Sequence, residues 1–345
     1  MSSEDLINNV EPRTQLPYGV SRYYASLAVS SDPEKDPIAA QYIPRKEEGI
    51  TLPYESPDPI SDKDYSVSPR VIHHYHDRIL ILVNDRCATY CRHCFRRHFT
   101  GNADGKITEA ELRGACDYLR NTPKVQEILL SGGDPLMLSD VELEHIITTL
   151  RRAVPERAIL FRLATRMPVV LPSRITRDLV DMLMESSRKK IWVVTHANHP
   201  AELSREFARA AERLIDRGIP ILNQAVLLRK VNNSPDILET LFRGLIQLRI
   251  KPYYLFQGDL ASGTAHFRTS IEEGLDIMDE LRRRLSGMAL PVYAVDLPGG
   301  GGKIPLTRES IRTIRNGYYI LHDLQGREYP YPREISREIS RKLPL

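Results

Sequence analysis

From about Arg70 onward, short apolar runs alternate with segments whose apolar residues recur at helical spacing. RILILVND (78–85) has the continuous apolar character of a buried strand. ITEAELRGACDYLRNT (107–122) follows with a helical stripe, and Thr108 is placed to cap it. The same alternation then repeats. EILLSGG (127–133) precedes a helix expected near 139–152, AILFRLAT (158–165) one near 175–189, and KIWVVTHA (190–197) one near 201–217. ILNQAVLL (221–228) precedes a helix near 234–249, KPYYLFQ (251–257) one near 270–286, and PVYAVD (291–296) ends the series. Strands alternating with amphipathic helices predict βαβ units and a parallel sheet. The fold class is therefore α/β, with about six parallel βα units closing into a partial (β/α) barrel. A doubly wound open sheet is the weaker alternative.

The flanks differ. SSDPEKDPIAAQYIPRKEEG (30–49) and TLPYESPDPISDKDYSVSP (51–69) are rich in proline and turn residues, which predicts an extended, wrapping segment with short helices at most. YYILHDLQGREYPYP (318–332) reads as a hairpin. Three regions result: an N-terminal extension 1–69, a barrel 70–305 and a C-terminal tail 306–345.

The unusual residues fall where the strands end. Cys87 follows the first strand, Gly132, Gly133 and Asp134 the second, and His196 the fourth. Gln224 lies in the fifth, Asp259 follows the sixth, and Asp296 ends the seventh. In a (β/α) barrel these positions share one face, where chemistry collects. HHYH (73–76), just before the first strand, reads as a polar approach loop.

Composition narrows the function classes. At 345 residues, 41% hydrophobic and 27% charged, the chain can bury a large core. A net charge of +3 gives no argument for nucleic acid or a membrane surface. Apolar runs such as ILILV (79–83) are far shorter than the ~20 residues of a membrane span. MSSEDLINNV carries no apolar signal-peptide region, and four cysteines do not make a disulfide framework. A cytoplasmic protein with reduced thiols is expected.

CATYCRHC (87–94) sets Cys87, Cys91 and Cys94 in the pattern C-x3-C-x2-C. Structural zinc prefers four ligands. Recruiting His98 supplies a fourth, but leaves no second element for the metal to pin. A redox pair of Cys91 and Cys94 leaves Cys87 without a role and lacks a helix start. Cys116 lies in a helical apolar stripe and reads as a core thiol. A 4Fe–4S cluster fits better, since three thiolates leave one iron open to an outside ligand. In a loop after the first strand, this motif resembles the radical S-adenosylmethionine (SAM) superfamily. The resemblance implies a radical SAM partial barrel and a cluster whose open iron is chelated by SAM. One-electron reduction would then cleave SAM to a deoxyadenosyl radical. It also places Gly132, Gly133 and Asp134 of SGGDP beside SAM.

LPGGGGKIP (297–305) fails as a phosphate-binding Walker loop, because Leu297 and Ile304 stand at the first glycine and hydroxyl positions. What remains is a lysine beside four glycines, whose missing side chains would let a planar ligand approach. Lysine is the Schiff-base residue of pyridoxal phosphate (PLP) enzymes. PGGGGK together with the cysteine motif resembles the lysine 2,3-aminomutase family. The resemblance also covers YYASL (23–27), DRILILVNDRCATYCRHCFRR (77–97), LLSGGDPL (129–136), THANHP (195–200), LNQAVLL (222–228), FQGDLASGTAHFRT (256–269) and VDLPGGGGK (295–303).

By that resemblance Lys303 joins PLP as a Schiff base and Arg78 contacts the PLP phosphate. A second phosphate arginine of the family falls at His74, which weakens that contact or makes it pH-dependent. Gln224 and His196 lie beside the two cofactors. Arg96 can hold the α-carboxylate of a free amino acid in a bidentate fork. Asp259 and Asp296 match the carboxylates that bind the ε-ammonium of lysine, a pair that selects a long cationic side chain over glutamate. FRRHF (95–99) as a nucleic-acid patch is disfavoured by the low net charge.

The implied activity is L-lysine 2,3-aminomutase, with free L-lysine as substrate and flavodoxin or ferredoxin as electron donor. Arginine as substrate, β-lysine supply for elongation factor P, and a non-enzymatic metal-binding module are the alternatives. The cysteines that hold an inter-subunit zinc in larger family members have no counterpart here, and a homo-oligomer remains open.

Overall fold

The strand-forming runs pair in chain order into one ten-stranded sheet. Its strands are β1 (Ser66–Ser68), β2 (Val71–Tyr75), β3 (Arg78–Asn84), β4 (Glu127–Gly132) and β5 (Leu160–Ala164). Next come β6 (Ile191–Thr195), β7 (Ile221–Val226), β8 (Lys251–Phe256), β9 (Val292–Leu297) and β10 (Gly302–Pro305). The computed structural model describes residues 6–7, 16–101 and 105–333. Strands β3 to β9 are mutually parallel, with β1 and β2 added antiparallel at one end and β10 at the other. Helices α1 (Glu109–Asn121), α2 (Asp140–Ala153), α3 (Arg177–Ser186), α4 (Arg205–Asp216), α5 (Pro235–Gln247) and α6 (Ile271–Arg284) follow β3 to β8 in turn. The expected βα units are all present.

Alternation along each strand sorts the side chains. Ile79, Ile81, Val83, Ile128, Leu130, Phe161 and Leu163 are fully buried and share one core with the helix stripes, including Leu112, Leu119, Leu143 and Ile147. The opposite face carries Arg78, Glu127, Arg162, Gln224 and Asp296 among apolar residues such as Leu80, Leu129 and Leu222, so charged and polar groups reach the barrel interior. Capping boxes start α1 and α2. Thr108 and Ser139 accept from the third helical N–H, while Glu111 and Glu142 accept from the cap N–H.

Two segments depart from expectation. HHYH is not a loop: His73, His74 and Tyr75 end β2, which pairs with β3 through Val71↔Ile81, Ile72↔Leu80 and Tyr75↔Arg78. Its polar residues hide the strand because their rings pack on aromatic neighbours. His74 lies 4.0 Å from the Tyr65 ring, and His73 bonds the Tyr118 hydroxyl. The strand series also does not end at PVYAVD: Lys303 lies on a further strand, β10, opposite Asp296 of β9.

The sheet's ends, β1 and β10, meet across a seam that has no hydrogen-bonded ladder. Tyr65 donates its hydroxyl to Gly300 O at 3.0 Å, and Gly299 N–H donates to Pro59 O at 3.3 Å. Gly300 has φ +81, and a Cβ there would stand 2.3 Å from the Tyr65 ring. Backbone conformation and this ring contact, rather than ligand clearance alone, explain glycine at 300.

The N-terminal segment wraps as expected, with a short helix at Arg22–Ala25. It is tied to the cysteine loop by charge. Glu48, fully buried, accepts from Arg92 Nε at 2.9 Å and from Arg97 Nη2 at 2.7 Å. Arg92 also donates to Pro17 O at 2.9 Å. The tail forms the expected hairpin, Tyr318–His322 with Glu328–Pro332, and the buried Tyr331 hydroxyl donates to Gly258 O at 3.2 Å. Most of MSSEDLINNV, and residues 334–345 of the tail, lie outside the described residues. Among the described residues, no helix is long and apolar enough to cross a membrane.

Removing Glu48 leaves two buried guanidinium groups short of their anion. Glu48→Ala is expected to lose about 3–5 kcal/mol of stability. Urea denaturation checks this, and a loss below ~1 kcal/mol would contradict the pairing.

Candidate active site

The C-terminal ends of the parallel strands place Cys87, Gly132, Gly133, Asp134, His196, Asp259 and Asp296 on one face of the barrel, whereas Arg78 stands at the start of β3 and Gln224 within β7. Cys87, Cys91 and Cys94 lie in the loop after β3, and each is a free thiol. Burial pushes the Cys87 thiol well up, reinforced by Asp134 and by the other two cysteines. Cys94 is raised by burial and by Cys91, against the backbone N–H of Arg96. Burial and the neighbouring sulfurs oppose charge on Cys87 and Cys94, so a cationic partner is needed to ionise them. That donor set fits an iron–sulfur cluster, whose binding must displace the thiol protons.

The glycines of SGGDP are held against this loop. Gly132 has φ +119, and a Cβ there would lie 2.2 Å from Asn84 O. Gly133 N–H donates to Asn84 O at 2.7 Å, and Asp134 N–H to Arg86 O at 2.8 Å. The Asp134 carboxylate is fully engaged. It accepts from Leu136 N–H at 3.0 Å, the Thr165 hydroxyl at 2.7 Å and Arg166 N–H at 2.8 Å. Gly132, Gly133 and Asp134 thus shape the loop from behind.

Arg166, after β5, was not singled out by the sequence. Its side chain is buried. Nη1 donates to Cys91 Sγ at 2.7 Å, and Nε to His196 O at 3.1 Å. Nη2 reaches the Tyr24 hydroxyl, Gln41 Oε1 and Glu202 Oε1 at 3.0, 2.6 and 2.6 Å. No motif marks it; a buried arginine becomes visible only through its partners. His196 is held neutral: burial and then the Arg166 charge push its imidazole down to about 3. Its Nε2–H donates to Asn198 Oδ1 at 3.0 Å.

Across the barrel, Lys303 Nζ lies 2.7 and 2.6 Å from the two oxygens of Asp296. It also sits 4.1 Å from the Phe256 ring centre and 5.4 Å from that of Tyr254. Gln224 lies beside Tyr254 in the β7–β8 register. A half-buried lysine amine next to two aromatic rings is chemistry that suits a planar carbonyl cofactor. Arg78, at the start of β3, packs 4.0 Å over the Tyr75 ring and pairs with Asp77 at 3.0 Å, leaving guanidinium donors for a phosphate. His74 is pushed down by burial and is an uncharged substitute for an arginine.

Asp259 follows β8. Burial and then the neighbouring Asp296 raise its carboxyl to about 7, against the opposing charges of Lys303, Arg268 and Arg96. Asp296 thus acts on Asp259, and is itself held by Lys303. Arg96 also has a partner: Nε donates to Asp62 Oδ2 at 2.8 Å, which leaves its two terminal nitrogens for a fork.

Fold and site together are those of a radical SAM enzyme. The family model described as Radical SAM superfamily matches residues 81–241, and that described as Lysine-2,3-aminomutase matches residues 278–340. L-lysine 2,3-aminomutase of Clostridium subterminale is 41% identical over 317 residues, covering 92% of this chain and 75% of that protein. The Fusobacterium nucleatum enzyme of the same name is 38% identical over 98% of this chain and 79% of its own length. The chain belongs to the lysine 2,3-aminomutase family. It is accordingly an isomerase whose cofactors are a 4Fe–4S cluster, SAM and PLP. Glutamate 2,3-aminomutase of Clostridioides difficile is also 38% identical, over 92% of this chain and 74% of that protein. Family membership therefore does not choose the substrate.

Because Gly132 abuts Asn84, Gly132→Ala must displace the start of the cysteine loop. Iron bound after anaerobic reconstitution is expected to fall several-fold, while borohydride-trapped PLP stays unchanged, since Lys303 lies on the far side of the sheet order. Equal iron in variant and parent would show that the loop tolerates the Cβ.

Proposed function

We propose that the protein is an L-lysine 2,3-aminomutase, interconverting L-α-lysine and L-β-lysine. The amino group moves from C2 to C3 and a hydrogen atom from C3 to C2. The observation that carries the substrate choice is Asp296, with Asp259 acting on it from nearby, already holding an alkylammonium: Lys303 Nζ lies 2.6 Å from its carboxylate. The substrate's ε-ammonium is the same chemical group. Once Lys303 is engaged by PLP, Asp296 loses that cation, and two carboxylates in a half-buried site call for another. A glutamate side chain would bring a third anion there and be repelled.

Cys87, Cys91 and Cys94 would hold the cluster, Lys303 would hold PLP covalently, and Arg78 would hold its phosphate. When bound, the cluster and SAM supply a carbon-centred radical, and PLP supplies a conjugated system that spreads an unpaired electron. Arg96, its Nε fixed by Asp62, offers its terminal nitrogens to the substrate α-carboxylate. Asp259 and Asp296 then set the substrate's length by holding its other end. His196, kept neutral, borders the site without adding charge, and Gln224 borders it from β7. Reduction of the cluster requires a low-potential one-electron donor, for which flavodoxin or ferredoxin is the proposed partner. A free amino acid substrate and reduced thiols suit the cytoplasm.

Reconstituted anaerobically, the enzyme is expected to convert lysine to β-lysine and to turn over arginine and glutamate far more slowly. Asp296→Asn leaves a desolvated ammonium half paired, typically a loss of about 3–5 kcal/mol. kcat/KM for lysine should therefore fall roughly a hundred- to several-thousand-fold with PLP retained. Faster turnover of arginine or glutamate, or near-normal kcat/KM in this variant, would overturn the assignment.

The raised carboxyl of Asp259 adds a pH signature. Near neutrality it holds a proton that an arriving ammonium must expel, because the cation binds the anion. Lysine binding to the PLP-loaded enzyme should release more protons in the parent than in Asp259→Asn. That difference should fade as pH rises from about 6 to about 8, where the parent carboxyl is already ionised. Calorimetry in buffers of different ionisation enthalpy measures it, and a difference that does not vary with pH would count against Asp259.

A further inference from the structure

Arg166 makes more contacts than an ion pair needs. Glu202, fully buried, already neutralises it through Nη2. The carboxylate of Glu202 is itself saturated. Oε1 accepts from Tyr24 and Arg166, and Oε2 from the backbone N–H of Asn198 and His199. The peptide N–H of Arg166 is fixed by Asp134, and its Nε by His196 O. With every other donor anchored, Nη1 has one acceptor, the sulfur of Cys91. Cys94 instead meets the backbone N–H of Arg96 and the charges of Arg96 and Arg97, and the carboxylates that act on Cys87 are Asp134 and Asp85.

We infer that Arg166 sets the reduction potential of the cluster by donating a charged hydrogen bond to the Cys91 sulfur. The inference rests on the reading of Cys87, Cys91 and Cys94 as cluster ligands. On reduction the cluster gains one electron from an external low-potential donor, and its net charge becomes more negative by one. A cation held in a buried site stabilises that reduced state more than the oxidised one, as hydrogen bonds to cluster sulfurs do. Glu202 acts in the opposite sense, because it offsets the same cation. Arg166 is thus a positioning and tuning residue rather than a catalytic one. Its other contacts, to Tyr24, Gln41 and the His196 carbonyl, fix where the charge stands.

The test is a redox titration of reconstituted protein with dithionite, followed by electron paramagnetic resonance of the reduced cluster. Arg166→Gln should make reduction about tenfold less favourable, a fall of ~59 mV for one electron. Glu202→Gln should move the potential upward. A merely structural role would loosen the site in both variants and shift them the same way. Shifts in the same direction, or none in either, overturn the inference. If Arg166→Gln assembles no cluster, Glu202→Gln decides alone: a rise supports it, and no change or a fall overturns it. Failure of the unaltered protein to take up iron would instead sink the assignment of the cysteines, and the inference with it.

Discussion

Like charges held close together in a partly dry site remain charged only when a cation joins them, and this constraint recurs through the molecule. Cys87 and Cys94 sit where burial and neighbouring sulfur or carboxylate oppose ionisation. Burial and the neighbouring Asp296 oppose the ionisation of Asp259 in the same way. In both places the protein has built a demand for positive charge before any ligand arrives. Iron would answer the first demand. Lys303 answers the second in this structure. The two demands lie on one face of one barrel because parallel strands all end there.

Around these sites the protein reverses the arrangement, burying cations and supplying the anions. Glu48 stands between Arg92 and Arg97, and Glu202 faces Arg166. Removing one partner of such a pair leaves a stranded charge, so these contacts hold geometry more than they add net stability. They also recruit the N-terminal segment. Leu16 and Pro17 carbonyls bind Arg92, while Tyr24 and Gln41 bind Arg166. A stretch whose proline content predicts little regular structure thus acts as a wall of the site.

Periodicity carried the barrel well. The apolar runs of β3 to β9 and the stripes of α1 to α6 are where the alternation put them, because each is dictated by local burial. The three cysteines stood out by their spacing and Lys303 by its glycines, and the structure places the first in the loop after β3 and the second on β10. Arg166, Glu202, Glu48 and Asp62 were not. Each sits in a loop or a single helical turn with no repeating pattern, and its importance is a property of pairs far apart in the chain. The strand ending in His73, His74 and Tyr75 was missed because polar rings that stack on neighbours look, in one dimension, like solvent-facing residues. The glycines beside Lys303 were legible as unusual but for an incomplete reason, since Gly300 answers to Tyr65 and to its own positive φ.

The seam between β1 and β10 has a mechanical consequence. Strand β10 is laddered to β9 on one side only, and across the seam the hydrogen bonds from Tyr65 and Gly299, with ring packing, tie the two edges. Each such bond is worth only about 1 kcal/mol net, whereas any strand from β2 to β9 would have to surrender two ladders to move. The strand bearing Lys303 is therefore held by one ladder, the seam hydrogen bonds and ring packing, while the cysteine loop is braced by buried charge, so the two ends of the site answer to different kinds of contact.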